Sequence, residues 1–183
     1  QQADDLVQRI RNDSALSRMA VNPLLLTMIS TVHRRGSALP GRRVDLYKEI
    51  LQVLLEKRER AKEISDTSTA FQKISVLQSL AFSLMLAEVR SFRLSYQIDR
   101  LLREKLLSVS LGKYTSAKFI KKMKEVSSLL IEKEEEGLYE FSHFSFQEYL
   151  VSVEIKESGK EQLLIDIIRG SHKISWWAEV IRL

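Results

Sequence analysis

Few residues in this chain are equipped to do chemistry. Its three histidines, His33, His143 and His172, are spread over 183 residues, and it has no cysteine. Disulfides, thiolate metal sites and a cysteine nucleophile are therefore excluded, and no two histidines have metal-site spacing. No serine sits in a nucleophile elbow. The six glycines are isolated and the G-x-x-x-x-G-K-[ST] pattern is absent, so no glycine-rich loop can cradle a phosphate. The acidic run Glu132-Lys133-Glu134-Glu135-Glu136 leads into Gly137, which marks a hairpin turn. Its carboxylates read as a solvated turn rather than an acid/base pair. The expectation is a chain with no self-sufficient active site, and so not an enzyme by itself.

The elements that must position the remaining candidates are mostly helical. Gly and Pro are scarce while Leu, Ile, Lys and Glu abound. A short apolar repeat at Leu6 and Ile10 runs into Leu16, Met19 and Ala20. Asn22-Pro23 then reads as an N-cap followed by proline at the first helical position, opening a helix from Leu24 to Val32 that stops near Arg35-Gly36. After Leu39-Pro40-Gly41, apolar residues at three- and four-residue spacing (Val44, Tyr47, Leu51, Leu54, Leu55) predict a helix from Val44 to about Ala61. The polar stretch from Glu63 to Ser68 is the best boundary. Thr69-Ala70-Phe71-Gln72 fits a capping box before a deeply buried helix, Phe71 to Val89.

Beyond it come an extended piece (Phe92-Arg93-Leu94), a helix capped by Ser95, and another from Ser116 to Ser128 with Phe119, Ile120, Met123 and Val126 inward. Strand formers at Leu129-Leu130-Ile131 and Leu138-Tyr139-Glu140-Phe141 flank the glycine turn. Ser145-Phe146-Gln147-Glu148 reads as a second capping box opening the next helix. Segments Gln162 to Arg169 and Ile174 to Leu183 follow, and the last meets no stop signal, which predicts a continuation. The expected fold is mainly α: a small helical domain at 1–64, a winged helix–turn–helix with a short β-hairpin wing at 65–158, and the start of a further helical domain at 159–183.

A winged helix raises nucleic-acid binding, as in a winged-helix DNA-binding transcriptional regulator. Lys118, Lys121 and Lys122 lie opposite the apolar face of the expected reading helix, where three ammonium groups could meet phosphates. Charge argues against it. Residues 1–62 hold 12 Lys and Arg against 7 Asp and Glu, whereas residues 63–183 hold 17 of each. Glu125 interrupts the lysine face, and the acidic wing would repel a polyanion. No apolar run reaches the ~20 residues of a membrane span and no signal peptide is visible, which predicts a cytoplasmic protein.

Two segments carry more specific information. One is Asn22-Pro23-Leu24-Leu25-Leu26-Thr27 with the later Leu39-Pro40 and Arg43-Val44-Asp45-Leu46-Tyr47; the other runs from Phe141 through His143 to Leu150. Their N-P-L-L-L-T, L-P-x-x-R-x-x-L-Y and F-x-H-x-x-F-Q-E-Y-L patterns resemble, in order and separation, the NACHT class of STAND signal-transduction ATPases. That class includes animal NOD-like receptors and many bacterial immune and regulatory proteins. Val151-Ser152 departs from the small alanines common there. The resemblance implies the helical and winged-helix domains that follow a nucleotide-binding core.

It further implies that Pro23 packs near the adenine of bound nucleotide and that His143 contacts the β-phosphate of ADP in the resting state. An imidazole N–H can donate to a phosphate oxygen, and a pyrrolidine offers a flat apolar contact with no competing donor. The implied cofactors are ADP and ATP with Mg2+ in the full-length protein, none being expected on this fragment alone. The implied partners are the NTPase core of the same polypeptide, adenine nucleotide and, on activation, further copies of the parent in a homo-oligomer. The implied function is a ligand-gated switch in immune or antiphage signalling.

Overall fold

The computed structural model describes residues 2–34, 36, 38–57, 68–170 and 174–183. The chain divides into two compact units, Gln1–Val53 and Leu54–Leu183. The stretch 63–67, most of the boundary expected from sequence, lies outside the described residues, as does the expected helix beyond residue 57.

The first unit holds helices α1 (Gln2–Asn12), α2 (Ser14–Ala20), α3 (Pro23–Arg34) and α4 (Arg43–Gln52); a π-helical turn, Val53–Lys57, follows α4 in the chain. Asp13 caps α2, its Oδ1 accepting from the backbone N–H of Ala15 (2.7 Å) and Leu16 (3.1 Å). Asn22 does the same for α3, accepting from Leu24 (2.9 Å) and Leu25 (3.2 Å), while Pro23 takes the first helical position, where its missing N–H costs nothing. Gly36 follows α3 with φ +71°, the left-handed conformation glycine tolerates. Leu25, Met28, Ile29 and Val32 of α3 and Leu46, Tyr47, Ile50 and Leu51 of α4 form the core.

The second unit reads α5 (Ala70–Leu86), β1 (Ser91–Phe92), α6 (Tyr96–Ser108), α7 (Ser116–Lys122), β2 (Leu130–Glu132), β3 (Tyr139–Phe141), α8 (Phe144–Glu157), α9 (Glu161–Gly170) and α10 (Ile174–Arg182). From α5 to β3 this is the element order of a winged helix–turn–helix. The sheet is antiparallel with β3 central, Phe92 paired with Tyr139 on one side and Leu130 with Phe141 on the other. Val76, Leu77, Leu80 and Ala81 of α5 and Leu150 and Val151 of α8 have no exposed surface, and these two helices form the spine of the unit. Each fully buried leucine contributes about 1.5–3 kcal/mol, so this contact outweighs any surface pair in the unit.

Local signals act as the sequence predicts at two helix starts, where Thr69 and Gln72 make the reciprocal box of α5 and Ser95 caps α6; Thr115 also caps α7. Two expectations need correction. The helix expected over 116–128 leaves α geometry at Met123 for a π-helical turn and ends at Ser128, whose φ is +56°. The second capping box does not form, because α8 starts one residue before Ser145, at Phe144, with His143 in the N-cap position and its side chain making no cap bond. Gln147, which lies inside the expected box, is fully buried, its Nε2 donating to the Val89 carbonyl at 3.3 Å.

Candidate functional site

Each sequence-derived candidate has its own local setting. Pro23 is in the first unit, exposed at the head of α3. Val21 (84% exposed) and Leu26 (38% exposed, one turn along) flank it and make an apolar surface. The hydroxyls of Thr27, Ser30 and Thr31 on the same helix donate back to the carbonyls of Pro23, Leu26 and Thr27 at 2.8–2.9 Å. Bound in this way, they leave the helix face with less polar character than its composition suggests. A flat apolar ligand face suits such a surface.

His143 is in the second unit, exposed where β3 passes into α8. Its backbone is extended (φ −139°, ψ 133°), the geometry of an N-cap, yet imidazole replaces the usual hydroxyl or carboxylate acceptor. Its side chain therefore caps none of the first N–H groups of this 14-residue helix, and the Phe146 N–H bonds the His143 carbonyl at 3.0 Å. The imidazole sits 6.0 Å, centroid to centroid, from the Phe146 ring. A recess of about 210 Å³ opens here, lined by Arg90, Glu140, Ser142, His143, Phe144 and Gln147 among others. Glu140 is 3.3 Å from Lys133 Nζ, so its charge is countered. The Oε1 of Gln147, buried, has no hydrogen-bond partner among the described residues.

The wall of this recess is braced from behind. Arg90 lies 4.2 Å over the Phe144 ring and 5.7 Å from the Trp176 ring, and the two rings meet at 5.0 Å with a 42° tilt. Trp176 Nε1 donates to the Met85 carbonyl at 3.1 Å, tying α10 to the end of α5. Sequence reading missed Arg90, Gln147 and Trp176. Nothing in the local pattern singles out Arg90; only its contact with an aromatic residue far along the chain does.

The three lysines once considered for nucleic acid share α7 but not a common setting. Lys118 is exposed, Lys121 lies 3.9 Å from Glu125, and Lys122 is half-buried with Nζ 3.3 Å from the Tyr114 hydroxyl. The wing carboxylates turn toward the protein's own cations. Glu132 accepts from Lys124 Nζ at 2.6 Å and from the Gly137 N–H at 2.8 Å, and these bonds hold its carboxyl below the ordinary value. Arg93 pairs with Glu135 and donates to the Glu136 carbonyl at 2.6 Å.

Among the described residues no group of His, Asp and Glu could hold a metal ion, and no helix is long and apolar enough to cross a membrane. The residues that line the recess include an imidazole and a guanidinium, donors of a kind that fits a phosphate.

The family model for the winged helix-turn-helix domain C-terminal to NACHT matches residues 43–155, running from the start of α4 into α8. Neither a curated protein nor a solved structure matches the chain. The match covers more than half of the chain and ends within α8, the helix that His143 opens. Element order, central β3 and family model agree, and the chain belongs to the family of winged helix–turn–helix domains that lie C-terminal to NACHT.

Proposed function

We propose that this chain is the regulatory nucleotide-sensing module of a NACHT ATPase. It closes over ADP bound to a preceding NTPase core and releases when ATP replaces ADP, freeing the parent to oligomerise and signal. The observation that carries this reading is His143, an exposed imidazole at the uncapped start of a long helix whose body is deeply buried. The buried body fixes the helix in place, while the imidazole at its start is exposed and can meet an anion. Pro23, exposed in an apolar patch with Val21 and Leu26, supplies a surface for the adenine.

The module does no bond-making chemistry. Phosphate loop, magnesium carboxylates and hydrolysis belong to the core, and the bound nucleotide supplies the phosphate charge that His143 reads. A nucleotide shifts the closed–open balance only by its difference in affinity for the two states. One hydrogen bond to a charged group contributes about 1.5–3 kcal/mol, enough to bias the balance without fixing it. The setting is cytoplasmic, and the output is immune or antiphage signalling.

In the full-length parent, His143→Ala should speed release of fluorescently labelled ADP by about tenfold or more and raise basal oligomerisation. Pro23→Ala, measured alongside, should weaken retention of ADP and AMP alike. Wild-type release and a wild-type resting state in the histidine variant would overturn the reading.

A further inference from the structure

We infer that Arg90 is a second phosphate-binding group of the recess that holds His143; this rests on the nucleotide-sensing reading above. Arg90 is exposed, and no carboxylate among the described residues pairs with it. It is held instead by the face of Phe144 at 4.2 Å, with Trp176 at 5.7 Å. That difference decides its chemistry. A carboxylate partner would orient the guanidinium and neutralise it, whereas an aromatic face orients it and leaves the full charge and all five N–H donors available.

Phe144 directly follows His143, so the support for the guanidinium and the imidazole are on one stretch of backbone at the start of α8. Both groups line the same recess. Its carboxylate, Glu140, is countered by Lys133, so Arg90 leaves the recess electropositive. A planar guanidinium fork matches two oxygens of one phosphate, while an imidazole gives a single bond. The two groups therefore recognise the diphosphate end of the nucleotide together.

The test uses the full-length parent and stopped-flow release of fluorescently labelled ADP and AMP. Arg90→Gln should speed ADP release by about tenfold or more, with Arg90→Lys in between, because an ammonium keeps the charge and loses the fork. AMP, which lacks the β-phosphate, should leave both variants within about twofold of its wild-type rate. Fast ADP release from His143→Ala but not from Arg90→Gln would overturn this inference and leave the sensing reading standing. Failure of both variants to change release would remove both. Equal acceleration of ADP and AMP would overturn it too, since Arg90 would then hold the protein closed through some contact other than a phosphate.

Discussion

Two helices that pack along each other begin in opposite ways. At α5, Thr69 accepts the Gln72 N–H while Gln72 reaches back to the Thr69 N–H at 2.8 Å, and the start is closed. At α8 the N-cap residue has the same extended backbone, but its side chain is imidazole and caps nothing. Both helices bury residues of zero exposure along their bodies. Helix position in this unit is therefore set by the buried faces, and the ends are free to differ. One end serves stability. The other places an exposed imidazole at the recess.

The sharpest way to break this division is through the helix body. Leu150 has no exposed surface, and Leu150→Ala should cost about 2–5 kcal/mol by lost transfer energy and the cavity left behind. Both tryptophans, Trp176 and Trp177, lie in this unit, so urea denaturation followed by their fluorescence reports on it without signal from the first. A cost well under 1 kcal/mol would mean that something other than the buried face holds α8.

The helix ends give the next, smaller effect, and it has opposite signs. Thr69→Ala removes a cap and should destabilise by about 1 kcal/mol. His143→Ser puts a cap-forming hydroxyl onto a backbone already shaped for it, and should stabilise by up to about 1 kcal/mol. The same change should speed ADP release from the full-length parent. A more stable but leakier protein would be the signature of an end left open for function. Loss of stability in His143→Ser would show instead that the imidazole, against Phe146, is a structural part of the turn.

Much of this fold was readable from residue pattern because the signals are local. The Thr69 box, the Ser95 cap and the glycine turn between two strand-forming runs each act within a few positions. The start of α8 was misread for the same reason. Ser145-Phe146-Gln147-Glu148 satisfies the local rule, but α8 already starts at Phe144, so Ser145 is inside the helix, and Gln147 is drawn inward to the carbonyl of Val89, 58 positions earlier. The Arg90–Phe144–Trp176 stack joins three separate elements and leaves no periodic trace. Pro23 and His143 were found only through family-like motifs, since a proline at a helix start or a lone histidine at a strand end is ordinary by itself.

The wing extends the comparison to a third terminus, with the smallest expected effect. Glu132 acts on the hairpin as Thr69 acts on α5: its carboxylate meets a backbone donor, the Gly137 N–H at 2.8 Å, as well as Lys124. The hydrogen bond from Lys124, more than that from Gly137, lowers its proton affinity in the folded state below the ordinary 4.5. A carboxylate with a depressed folded value stabilises fully above its unfolded value and loses that contribution as pH falls through the folded one. Wild type should therefore melt slightly above Glu132→Gln at pH 7, and the two curves should converge in acid below 4.5. The pair is a quarter to a third exposed, so solvent screening keeps the gap small. Melting temperatures of both proteins across pH 7 to about 2.5 check this. A gap that stays constant through the acid range would mean that the glutamate supports the turn by shape alone, and that the wing, unlike the start of α5, is not closed by its charge.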